Sequence, residues 1–240
     1  MSEIPATEKA GGETRTRLLD AAERLFARHG IDATSLRKIT SEAHANLAAV
    51  NYHFGSKEAL IREVFLRRLH PMNEERLAAL DRLERESGEK GPSLEEVLRA
   101  FYLPALTLCS GLEREGSDFR RLLARVWSEP RELLRPIFAS EFRTLAERFQ
   151  AALARCLPGA SSEDLRWGIF FLVGILTHGL QIPNLDPQDP PVCLRPGEDV
   201  EATLARMVRF GAGGLRALVR EDDGCPFREE GGKREGGDMQ

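Results

Sequence analysis

Residues 46–60 read NLAAVNYHFGSKEAL. Small apolar residues lead into an Asn-Tyr-His-Phe cluster, and Gly55, Ser56 and Lys57 follow before a helical pattern resumes. Gly55 breaks a short helix over Asn46–Phe54. Ser56 caps the next one, whose buried stripe runs through Leu60, Val64, Phe65 and Leu69. A buried seam between two helices favours aliphatic residues, and a solvated seam has no use for aromatics. Tyr52, His53 and Lys57 therefore raise the question of what this seam meets.

The residues upstream supply a frame. From Thr14 to His29, Leu18, Leu19, Ala22, Leu25 and Phe26 recur at helical spacing, and Gly30 gives the stop. Thr34 or Ser35 caps a second short helix that runs through Glu42, with Leu36 and Ile39 facing inward. The few residues around His44 then separate two short helices, which is helix-turn-helix spacing. The second helix of such a pair enters the DNA major groove. Ala45, Ala48 and Ala49 permit close approach, Asn51 suits a base edge with adenine as its natural partner, and Tyr52 and His53 can donate to phosphates. Lys57 adds a cation beside backbone amides that already favour an anion. Val50 and Phe54 face inward. The bland alternative is a compact three-helix unit in which Tyr52 is a core aromatic and Lys57 a solvated lysine.

The order of residues decides between the two. TRTRLLDAAERLFARHGIDATSLRKITSEAHANLAAVNYHFGSKEALIREVF resembles the DNA-binding domain of the tetracycline-repressor (TetR) family of bacterial transcription regulators. The matching features are LLDAAERLFARHG in the first helix, TSLRKI in the second and YHFGSKEAL closing the third. The resemblance implies groove-facing positions at Leu47, Ala48, Ala49 and Asn51, with Tyr52, His53 and Lys57 on phosphates. It places Thr34, Ser35 and Arg37 on the DNA backbone from the second helix. Two positions depart from the family pattern. His44 stands in a turn that often carries Gly, which requires a side chain in left-handed geometry, and Asn51 replaces a frequent Tyr.

Composition agrees with an ordinary globular chain: 240 residues, 42% hydrophobic and 30% charged, with a formal charge of −4. A nucleic-acid contact must then come from a local patch rather than a basic coat. The four cysteines have no CxxC spacing and read as free thiols in a reducing compartment. The N-terminus lacks a signal-peptide core, and the apolar run Trp167–Ile182 is too short and too polar to span a bilayer, so the chain reads as cytoplasmic with no membrane partner.

Beyond the head, Pro71 kinks or ends the connecting helix, and a charge-laced amphipathic stretch continues to about Glu86. Ser87–Ser93 is a linker, and Ser93 with Glu96 forms a capping box. Helices are expected near 94–110, distorted by Pro104, and near 118–127, 131–156, 162–181 and 199–220. A Pro-rich loop lies between the last two. The fold class is all-α. A disordered arm over 1–13 precedes a helix-turn-helix domain over 14–55, a helical regulatory and dimerisation domain over 56–220 and a disordered tail over 221–240.

The segment 93–182 is similar to the body of the PsrA-type subgroup, whose members answer to long-chain fatty acids or acyl-CoA. The resemblance implies a homodimer held by its last two long helices, with close packing of a partner helix accounting for Gly211, Gly213 and Gly214. It also implies an apolar pocket drawing on Phe101, Leu103, Leu106, Leu122, Trp127, Phe170, Phe171 and His178, although Phe and Leu at helical spacing are ordinarily core. The expected function is a regulator, usually a repressor, that binds a double-stranded pseudo-palindromic operator and is released by a fatty acid or acyl-CoA. Drug-like ligands acting on an efflux or stress gene are the runner-up, and a helical interaction protein without DNA binding is the rival from another class. An enzyme is disfavoured: Gly55-Ser56-Lys57 lacks the rest of a phosphate loop, and no HExxH, nucleophile elbow or cofactor motif occurs.

Overall fold

The computed structural model describes residues 6–110, 114–126, 131–179 and 199–218, and every long regular element among them is an α-helix. These are α1 (Ala6–His29), α2 (Leu36–Glu42), α3 (Leu47–Phe54), α4 (Lys57–Glu86), α5 (Leu94–Ser110), α6 (Arg114–Arg125), α7 (Arg131–Cys156), α8 (Ser162–Gly179) and α9 (Val200–Leu218). The all-α architecture, with a small head of α1–α3, a connecting helix α4 and a larger helical body, is as the sequence led one to expect. The Pro-rich loop, the tail after 221 and Trp127 lie outside the described residues.

Helix starts follow local capping chemistry. The side chains of Ser35, Asn46 and Ser56 each accept a backbone N–H three residues on, at Lys38, Ala49 and Ala59. Ser93 and Glu96 satisfy each other reciprocally at the start of α5. Two elements depart from expectation. The first helix begins at Ala6, inside the stretch read as a disordered arm. The connecting helix does not stop at Pro71 but runs 30 residues through it. Pro71 faces solvent, so the carbonyl it leaves unbonded can be hydrated, while Leu69, Met72, Asn73, Arg76 and Leu80 keep one buried stripe in register past it.

The head core is Leu18, Ala22, Phe26, Ile31, Ile39, Val50, Leu60 and Ile61, all nearly inaccessible to solvent. A charged cluster fixes α1 against α4. The almost wholly buried Glu23 accepts from Arg67 Nη2 at 2.6 Å and from Arg68 Nε at 3.2 Å, and Arg67 Nη1 also bonds Asp20 at 2.6 Å. From the body, Arg125 Nη1 at the end of α6 donates to the carbonyls of Ala27 and Arg28, in the last turn of α1.

In the body α4 packs on α5 and α7, and α5 packs on α9. Aromatic rings fill the centre: Phe65 meets Phe119 and Phe138, and Phe101 meets Tyr102 and Phe149. Arg76, fully buried, joins three helices. Its Nε donates to the Phe101 carbonyl at 2.8 Å, its Nη1 to Asn73 Oδ1 at 3.1 Å, and Asn73 Nδ2 reaches the Glu141 carbonyl at 3.2 Å. The guanidinium also lies over the Phe101 ring at 4.7 Å.

The last two helices run antiparallel, since a Cβ on Gly168 would meet Leu215 and one on Gly211 would meet Leu172. Gly211 is thus a close approach within the chain, to α5 and α8, whereas Gly213 and Gly214 face open space.

Removing the almost wholly buried carboxylate that two partly exposed guanidinium groups share breaks the bonds from both, although Arg67 keeps Asp20. Glu23→Ala is expected to lower unfolding free energy by about 3 kcal/mol, read from the urea midpoint. A loss under about 1 kcal/mol would show that α1 is held to α4 by apolar packing alone.

Candidate nucleic-acid interface

The turn between α2 and α3 is built from backbone hydrogen bonds. His44 N–H donates to Ser41 O at 3.2 Å and Ala45 N–H to Thr40 O at 2.9 Å, the pair of bonds that closes a Schellman motif. The motif needs a left-handed residue, and His44 supplies it with φ of 50°, the only non-glycine residue with positive φ among those described. At the other end of α3, Gly55 adopts φ of 77° and its N–H returns to Val50 and Asn51 carbonyls. Both ends of this eight-residue helix are therefore locked.

Val50 is fully buried and anchors α3, while Ala49 and Phe54 pack against the core from its edges. Leu47, Ala48, Asn51 and Tyr52 point away together as one exposed stripe, and Tyr52 is 85% exposed. Tyr52 stands edge-on to His53 at 4.9 Å, and His53 to Phe54 at 6.1 Å. Ser35 and Arg37 are exposed at the start of α2. Of the sequence-predicted interface residues, these together with the half-buried Ala49, His53 and Lys57 share one end of the head.

Thr34 is a correction. It is fully buried, and its hydroxyl donates to the Gly30 carbonyl at 2.7 Å, so it fixes the loop between α1 and α2 and cannot reach a phosphate. Lys57 has a second duty: its Nζ donates to the Ile31 carbonyl at 2.9 Å, tying the start of α4 to that loop with two ammonium protons left over. The sequence reading missed Arg15 on α1, whose guanidinium lies 5.5 Å from the Phe54 ring centre and 2.6 Å from Glu63.

The presumed pocket residues divide. Phe101, Leu106 and Leu122 are buried in the body and Leu103 is half-buried. Phe170, Phe171 and His178 depart from the expectation: they lie on the exposed side of α8. The buried side of that helix is Leu165, Gly168, Leu172 and Leu176. Trp167, Phe170 and Phe171 form an outward cluster of rings on α8, and Phe210 is exposed on α9, each more than half exposed.

Residues 18–64 match the family model described as bacterial regulatory proteins, tetR family, and residues 99–214 match that of the tetracyclin repressor-like, C-terminal domain. The HTH-type transcriptional regulator AcrR of Shigella flexneri is 32% identical over 120 residues, half of each chain. The nicotine-responsive repressor HdnoR of Paenarthrobacter nicotinovorans is 47% identical over 49 residues, 20% of this chain and 25% of its own. The chain thus spans half or less of the length of these curated relatives. Among solved structures, a TetR-family regulator from Streptomyces coelicolor superposes with a TM-score of 0.56 at 22% identity, covering 92% of this chain and 98% of that one. SmeT of Stenotrophomonas maltophilia, the repressor of a multidrug efflux pump, gives 0.56 at 21% identity over 84% and 91%.

A non-glycine residue held at positive φ costs roughly 1 kcal/mol. His44→Gly is therefore expected to raise the stability of the chain by about 0.5–1 kcal/mol, and His44→Val to lower it by more. Thermal melts of the two variants check this. Equal midpoints for Gly and Val would mean the turn tolerates any residue.

Proposed function

Because the chain belongs to the tetracycline-repressor family, we propose that it is a ligand-responsive DNA-binding transcription regulator, acting as a repressor on a pseudo-palindromic operator. The observation that carries the reading is the outward stripe of α3, Leu47, Ala48, Asn51 and Tyr52, presented by a helix whose two ends are locked. A helix that served only the head core would turn such residues inward. Asn51 can read a base edge, Ala48 can lie on a thymine methyl, and Tyr52, His53, Lys57, Ser35 and Arg37 can meet phosphates.

One head reads too few base pairs for selectivity, so two heads must act together. The exposed rings of Trp167, Phe170, Phe171 and Phe210 on the antiparallel pair α8 and α9 support a two-fold homodimer, since apolar rings this exposed favour a partner surface. No helix among the described residues is long and apolar enough to cross a membrane, which fits a regulator working in the cytoplasm.

The inducer we propose is a long-chain fatty acid or acyl-CoA, taken up among Phe101, Leu103, Leu106 and Leu122 in the body. Drug-like ligands such as triclosan, with which SmeT forms a complex, would suit the same apolar walls. Titration with palmitoyl-CoA and with triclosan separates the two. A ligand that releases the operator must bind the operator-bound dimer more weakly by the same factor.

Asn51→Ala is expected to relax selectivity at one position of each half-site by about 1–3 kcal/mol. Arg37→Ala should instead weaken all sequences alike and reduce the salt slope by about one per head. Identical footprints and salt slopes for the two would defeat the division between reading and positioning. A second measurement addresses assembly: Phe170→Glu should convert the dimer to a folded monomer in analytical ultracentrifugation. A dimer of unchanged affinity would place the interface elsewhere.

A further inference from the structure

The C-terminal end of α3 carries the aromatic cluster, and although Gly55 caps its backbone, an eight-residue helix draws little stability from its own hydrogen bonds and its side chains need support from elsewhere. A continuous set of contacts reaches that turn from the rest of the head. Glu63, on α4, bonds Arg15 Nη2 at 2.6 Å. The Arg15 guanidinium in turn stands over the Phe54 ring at 5.5 Å. Phe54 meets His53 edge-on, and His53 meets Tyr52. The same helix α1 passes His53 again one turn earlier, where a Cβ placed on Gly11 would lie 4.0 Å from His53 Cε1.

We propose that Arg15 is a positioning residue for DNA binding, fixing the end of the recognition helix to α1 and α4 so that Tyr52 and His53 are held where phosphates pass. The inference rests on the DNA-binding reading. Arg15 acts through Phe54 rather than on the nucleic acid. Its cation is already engaged twice: by the carboxylate of Glu63, and by the negative face of an aromatic ring. Without it Phe54 loses the cation beside its ring, and the side chains of the last turn, whose backbone Gly55 still caps, are less firmly placed. Both the ion pair and the ring contact are partly exposed, so each contributes modestly. The effect on binding should be correspondingly moderate.

The test uses the full chain and a random-sequence DNA duplex titrated across a range of KCl concentrations. The double variant Arg15→Gln with Glu63→Gln keeps the net charge while removing the cation from the ring. It should bind roughly fivefold to tenfold more weakly at every salt concentration, with an unchanged salt slope. In a Phe54→Leu background the same double substitution should have almost no further effect. Arg15→Lys, which keeps a cation over the ring and a partner for Glu63, should bind within about twofold of the unaltered chain. The proposal alone is overturned by unchanged affinity for the double variant, or by a salt slope that falls by about one per head, which would make Arg15 a direct phosphate contact. Equal losses for the Lys and neutral variants would overturn it as well. If the unaltered chain bound no duplex at any salt, the DNA-binding reading and this proposal would fall together.

Discussion

The carboxylate of Glu23 has two guanidinium groups on it and almost no water around it, and the geometry of the head depends on that cluster. A buried anion is costly unless cations and hydrogen bonds match it, so the cluster tolerates little displacement of α1 against α4. Asp20 adds a second carboxylate to Arg67 and narrows the freedom further. Since α2 and α3 rest on α1, the orientation of the recognition helix follows from where α4 places those two arginines. Packing alone would hold the helices near each other; the charged cluster sets their register.

Much of the head was legible because its rules are local. Ser35, Ser56 and, in the body, the Ser93–Glu96 pair cap helices through atoms three residues away, whereas Asn46, read as part of the third helix, is its cap. The left-handed turn at His44 was legible for the same reason. Thr34 was misjudged because a hydroxyl near a helix start can cap the helix or close the preceding loop, and only the fold around Gly30 decides. Phe170, Phe171 and His178 were misjudged because periodicity shows that a helix has an apolar face without showing which neighbour covers it. That helix is apolar nearly all round, and Leu165, Gly168, Leu172 and Leu176 face inward because Leu215 and Gly211 of α9 are there to meet them. Glu23, Arg15 and Arg76 could not be found by pattern, since each takes its meaning from residues at least 25 positions away, as Arg76 does from Phe101.

The body holds its polar groups differently from the head. Arg76 is wholly buried yet bonds the Phe101 carbonyl of α5 and the Asn73 side chain of α4, and Asn73 carries the link on to the Glu141 carbonyl of α7, so the pair cross-links three helices. Tyr102 is equally buried, but its hydroxyl has no hydrogen-bond partner among the described residues, and burial raises its pKa above the ordinary tyrosine value. Gly211 leaves the room that this hydroxyl occupies, because a Cβ there would come within 3.3 Å of it. The core between α5 and α9 is thus shaped around one oxygen that none of the described residues satisfies.

The unbroken helix through Pro71 has a mechanical consequence. From Phe65, the body's ring contact on α4 toward the head, to Lys57 α4 extends roughly 12 Å at about 1.5 Å per residue. A stiff rod pivoted there converts angle into travel: a tilt of about 10° carries Lys57 roughly 2 Å. Hydrogen bonds to base edges survive displacements of only a few tenths of an ångström. Rearrangements in the body too slight to disturb its own packing are therefore magnified along the rod into a misfit at the groove, and a break at Pro71 would have absorbed them.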